Sequence, residues 1–79
     1  MWSFESAVGL MTIEKRSDGK YLLHIGDSFS DLYDSPVAAA DNVYMFVTGC
    51  SEWDALGYKD RPRDVPRDIF EWLQSPDLP

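Results

Sequence analysis

The sequence predicts an α+β fold, with an antiparallel three-stranded meander, one main helix packed on one face of it, and short helical turns at the C-terminal end. Three observations predict it. Apolar residues alternate on both sides of Ser17-Asp18-Gly19, a turn signal. Ser35-Pro36 precedes apolar residues at helical spacing. After Gly49 the pattern breaks into short segments, two of which carry Trp53 and Trp72. The expected organisation is a single domain over 1–79, with a sheet in 2–34, the main helix in 35–48 and a C-terminal helical extension in 51–75.

The first strand reads from Ala7 to Arg16, with Trp2 and Phe4 extending it or covering the end of the sheet. Its partner runs from Lys20 to Gly26. A two-residue Asp-Gly loop would pair Ile13 with His24 and mix the two faces. A three-residue loop closed by Gly19 pairs Ile13 with Leu23 and Met11 with Ile25. That register gathers Met11, Ile13, Tyr21, Leu23 and Ile25 on one face and leaves Thr12, Glu14, Leu22 and His24 on the other. Because a one-residue slip inverts every side chain, burial selects the three-residue loop. Gly26-Asp27-Ser28 is a second turn, and Phe29 to Asp34 a short third strand.

Ser35 is a good N-cap, and Pro36 suits the first helical position. Val37, Ala40, Tyr44 and Val47 form the expected apolar stripe, widened by Val43 and Phe46, and Gly49 supplies a left-handed end. Ser51-Glu52-Trp53-Asp54 resembles a capping box and should open a single turn ending near Gly57. Tyr58 to Asp64 reads as a polar loop. A final helix is expected from Pro66, with Ile69, Phe70, Trp72 and Leu73 as its stripe and Ser75-Pro76 as its end.

The 79 residues carry 44% hydrophobic residues, including three Trp, four Tyr and four Phe, which is enough to build a small core. No apolar run approaches the roughly 20 residues of a membrane helix. MWSFESAVGLM has no basic n-region and carries Glu5, so it does not read as a signal peptide. The single cysteine, Cys50, forms no internal disulfide and fits a reducing cytoplasm. A net charge of −7 opposes direct binding to nucleic acid. Between Tyr21 and Tyr58 there is no Lys or Arg, against six acids: Asp27, Asp31, Asp34, Asp41, Glu52 and Asp54. That span reads first as a solvated acidic face and second as a docking face for a protein with a basic surface.

Several chemistries fall away on spacing. Asp27, Asp31 and Asp34 lack the alternation and the Gly of a calcium loop, and one His with one Cys does not make a zinc site. No metal or cofactor is expected. Cys50 follows the main helix, whose negative end disfavours a thiolate, so it reads as a small apolar filler. Trp53 and Trp72 either complete the core or form an aromatic patch at an interface. The candidate binding residues are accordingly Asp27, Asp31, Asp34, Trp53 and Trp72, with no catalytic residue.

His24-Ile25-Gly26-Asp27-Ser28-Phe29-Ser30-Asp31 resembles the first block of the GDSL (SGNH) esterases, which implies Ser28 as a nucleophile. That family draws its base from a late Asp-x-x-His, absent here. The only histidine, His24, precedes Ser28 by four residues, roughly 13 Å along a strand. A three-stranded sheet backed by a helix is also similar to the AP2-like and integrase arm-type DNA-binding domains. Their sheets present Arg, Lys and aromatic residues, whereas this outer face offers Thr12, Glu14, Leu22 and His24. Leu32-Tyr33-Asp34-Ser35-Pro36, Ala38-Ala39-Ala40, Thr48-Gly49 and Glu52-Trp53-Asp54 together resemble a pattern in small uncharacterised bacterial proteins, which implies no activity. The expectation is a non-enzymatic, cytoplasmic protein that acts by binding another protein. An acidic nucleic-acid mimic and a GDSL-like esterase fragment are the alternatives.

Overall fold

The computed structural model describes residues 1–59, 62 and 64–75. Its fold is α+β: a five-stranded antiparallel sheet with two helices. The strands are β1 (Trp2–Ser6), β2 (Gly9–Lys15), β3 (Tyr21–Ile25), β4 (Phe29–Tyr33) and β5 (Leu73–Gln74), and the helices are α1 (Pro36–Met45) and α2 (Ser51–Lys59). The order across the sheet is β4-β3-β2-β1-β5.

The central hairpin has the register that burial selects, with Met11 opposite Ile25 and Ile13 opposite Leu23. Its loop holds three residues closed by Gly19 at φ +87°, and Lys20 N–H donates to Asp18 Oδ1 at 3.0 Å. The expected first strand divides in two. The Ser6 hydroxyl donates to the Gly9 carbonyl (2.5 Å) and accepts from Val8 N–H (3.2 Å), folding Ala7-Val8 into a turn. Trp2 and Phe4 thus belong to a separate strand, placed opposite Ile13 and Met11 on the core face.

Helix α1 begins as expected, with the Ser35 hydroxyl accepting from Ala38 N–H at 3.1 Å and Pro36 in the first turn. It ends at Met45, short of the expected residue 48, because Phe46 takes a left-handed turn (φ 58°, ψ 44°) three residues ahead of Gly49, itself at φ +93°. Phe46 N–H donates to Val43 O (3.2 Å) and Val47 N–H to Asn42 O (3.1 Å), the two bonds of a Schellman ending. A phenylalanine in this conformation is strained by on the order of 1 kcal/mol or more. Its ring is held by stacking on Trp53, centroids 4.6 Å apart and planes 13° apart. The buried stripe also differs from the expected one: Ala39, Ala40, Val43 and Phe46 are buried, while Val37 and Val47 are exposed. The two alanines let the backbone of α1 sit close to the sheet.

Past Gly49 the structure is more regular than the sequence suggests. Helix α2 extends to Lys59 and passes through Gly57, whose missing side chain makes room for Phe46: a Cβ there would lie 2.8 Å from Phe46 Cβ. The expected loop from Tyr58 therefore begins inside α2, and its residues 60, 61 and 63 lie outside the described residues. The expected final helix is a single 3₁₀ turn, Ile69–Glu71, capped by the Asp68 carboxylate accepting from Phe70 N–H at 2.9 Å. It buries Ile69 and Trp72 and leaves Phe70 and Leu73 exposed, a three-residue spacing that a 3₁₀ turn puts on one side. The chain then straightens into β5 because β1 offers unpaired backbone groups there: Ser75 N–H donates to Met1 O (2.7 Å) and the Met1 ammonium to Ser75 O (2.8 Å). Pro76 lies outside the described residues. The sheet, α1, α2 and the segment from Val65 to Trp72 share one cluster of buried side chains.

Candidate functional site: the outer sheet face and the β4 edge

The helices cover one face of the sheet. Strand alternation places Leu10, Thr12 and Glu14 of β2, Leu22 and His24 of β3, and Ser30 and Leu32 of β4 on the other. Leu32 stands directly opposite Leu22, with Glu14 beyond it. His24 lies between Ser30 and Thr12, and Ser3 and then Leu73 continue that row. His24 Nε2 is 3.6 Å from Glu14 Oε1 along the diagonal of the pair. Exposure is high for apolar residues: 47% at Leu10, 44% at Leu32 and 71% at Leu73. Leu22 was already placed on this face by the sequence; the same period of two reaches Leu10 and Leu32.

The three candidate aspartates surround β4 but do different things. Asp27 is exposed in the β3–β4 turn. Asp31 accepts from the backbone N–H of its neighbour Leu32 at 2.8 Å. Asp34 is ion-paired with Lys20, which holds its carboxyl below the usual carboxylate range and is itself raised by the same contact. On the core side of β4, burial pushes the Tyr33 phenol up, partly offset by its hydrogen bond with Asn42 of α1. A fourth carboxylate, Asp54, has a structural task not foreseen from the sequence. It accepts from Thr48 N–H (2.9 Å), Thr48 Oγ1 (2.8 Å) and Gly49 N–H (2.9 Å), fixing the α1–α2 link. The cap of α2 therefore differs from the expected box. Asp54 N–H donates to Cys50 O at 2.9 Å, so Cys50, and not Ser51, is the residue at the helix entrance. Cys50 lies between the end of α1 and the start of α2 and packs half-buried against the core.

Trp53 and Trp72 are both in the core, where neither can present an aromatic surface patch. They drop out of the candidate contact surface. Ser28 and His24 line separate depressions on the two sides of Gly26-Asp27. One is formed with Phe29, Cys50, Ser51 and Glu52, the other with Leu10 and Thr12. Among the described residues no group of three or more His, Cys, Asp or Glu could hold a metal ion, and no helix is long and apolar enough to cross a membrane. No protein-family model, no curated protein and no solved structure matches this chain.

Proposed function

We propose that this chain is a non-enzymatic protein-binding domain whose contact surface is the outer sheet face with the β4 edge. The observation that carries the reading is the one-sided covering of the sheet, which leaves Leu10, Leu32 and Leu73 in solvent beside small polar residues. The acidic, Lys- and Arg-free span from Tyr21 to Tyr58 supports a partner with a basic surface. The separation of Ser28 from His24 supports a reading without esterase chemistry, since a serine nucleophile needs its base within hydrogen-bond reach. A lone cysteine fits a cytoplasmic setting. The acidic-mimic alternative is weakened by Asp34 and Asp54, two of the six carboxylates in the span, being engaged within the chain.

The test is affinity capture with the wild-type chain and with Leu22→Glu and Leu32→Glu variants shown to be folded by circular dichroism. The wild type should retain a partner that both variants lose. Equal capture by all three, or none by the wild type, overturns the reading. So does esterase activity that survives purification and vanishes in Ser28→Ala.

A further inference from the structure

The β4 edge carries a more specific inference, which rests on the protein-binding reading. In β3 the Gly26 amide donates to Leu10 O (3.0 Å) and Lys20 O accepts from Arg16 N–H (2.8 Å), so the even-numbered residues face β2. Each strand residue directs its N–H and C=O to one side. Tyr21, Leu23 and Ile25 therefore bond to β4, through Tyr33, Asp31 and Phe29 opposite them. Ser30 and Leu32 turn their backbone groups outward along the edge of the sheet, where no strand among the described residues pairs with β4. The Leu32 N–H on that edge is covered, because Asp31 Oδ1 accepts from it at 2.8 Å.

We propose that β4 accepts an extended segment of a partner protein as a sixth strand, with a Lys or Arg of that segment opposite Asp31. The carboxylate moves from the Leu32 N–H to the incoming cation, and the freed N–H donates to a carbonyl of the added strand. The residues flanking the cation stand opposite Ser30 and Leu32 on the outer face, where Leu32 and Leu22 favour apolar side chains. Asp27 precedes the strand, and Lys20, the cation at the far end of β4, is neutralised by its pair with Asp34. The same geometry disfavours the symmetric pairing with a second copy of this chain that would engage both outward-facing residues. Symmetric pairing through Ser30 and Leu32 sets Asp31 opposite Asp31, and like charges directly opposite destabilise a strand pair. The edge thus favours an apolar–cation–apolar segment over its own copy.

The test is a ¹⁵N NMR titration of the full chain with a β-hairpin peptide that presents Val-Lys-Val on its free strand, against its Val-Glu-Val counterpart. The Lys peptide should shift the Ser30 and Leu32 amides and slow their hydrogen exchange, and the Glu peptide should bind about fivefold more weakly. Asp31→Asn should erase that preference and Asp31→Lys should invert it. The inference is overturned if neither peptide shifts β4, if both bind equally, or if the preference survives in both variants. Loss of captured partner in Leu22→Glu with no peptide binding at β4 removes the edge inference and leaves the protein-binding reading standing.

Discussion

Trp53 and Trp72 are both packed against Phe4, yet they hold the molecule in different ways. Trp53 has no accessible surface, stacks on Phe46, meets Phe4 edge-on with centroids 6.3 Å apart, and donates its indole N–H to Val43 O at 3.0 Å. That carbonyl already accepts from Phe46 N–H (3.2 Å) at the end of α1, so the indole adds a second donor to it while its ring fills the core. Trp72 is 4% exposed and lies 5.6 Å from Phe4, but its buried indole N–H finds no hydrogen-bond partner among the described residues. An unmet buried donor costs about 1–3 kcal/mol. The two tryptophans bury similar apolar area, and the difference is polar. Trp53 is the hub joining α1, α2 and the sheet, whereas Trp72 anchors the terminal strap through area alone.

The largest effects should come from breaking the hub. Trp53→Ala should cost about 3–5 kcal/mol, enough to unfold most of so small a domain, as read by urea denaturation. Trp53→Phe removes part of a fully buried ring and one of the two donors to Val43 O, and should still cost about 1–3 kcal/mol. Gly57→Ala comes next. Ordinarily that change stabilises a helix by about 1 kcal/mol, but here the new Cβ meets Phe46 Cβ at 2.8 Å. A net loss of about 1–3 kcal/mol is expected, and a gain in thermal stability would show that Phe46 is not fixed against α2.

Trp72→Phe provides the contrast. It removes the unmet donor with part of the ring, and its midpoint in the same urea series should lie within about 1 kcal/mol of wild type on either side. If it costs as much as Trp53→Phe, the two tryptophans are equivalent and the distinction between hub and strap fails.

These positions also show how far the fold was legible. The β2–β3 register followed from Met11, Ile13, Leu23 and Ile25 because alternation around Gly19 is local information. The Ser35 cap was equally local. Phe46 was not, since nothing within a few residues says that a distant Trp53 will stack on it and override the glycine at 49. Strand β5 was missed for the same reason: Leu73 and Gln74 have no strand pattern of their own and pair because β1 lies beside them. At the candidate site, the period of two put Leu22 and His24 on the outer face. The division of labour among Asp27, Asp31 and Asp34 depended on Lys20 arriving from across the hairpin and on which side each backbone amide faced.

The smallest effect belongs to that Lys20–Asp34 pair, which sharpens the comparison by showing what an exposed contact contributes beside a buried one. The folded carboxyl of Asp34 is lowered, so its contribution is present above the unfolded carboxylate value, about 3.9, and is lost as pH falls through the lower folded value. Lys20 is raised, so its part is present below the unfolded lysine value, about 10.4, and is lost as pH rises through the folded one. Asp34→Asn should therefore lower Tm slightly and uniformly between those limits, and the difference from wild type should close toward acid. Both groups are in solvent, so about 1 M salt should shrink the difference while leaving the Trp53→Phe deficit in place. A difference that persists at pH 2, or in high salt, would mean that Asp34 acts through the Ser35 cap it precedes and not through Lys20.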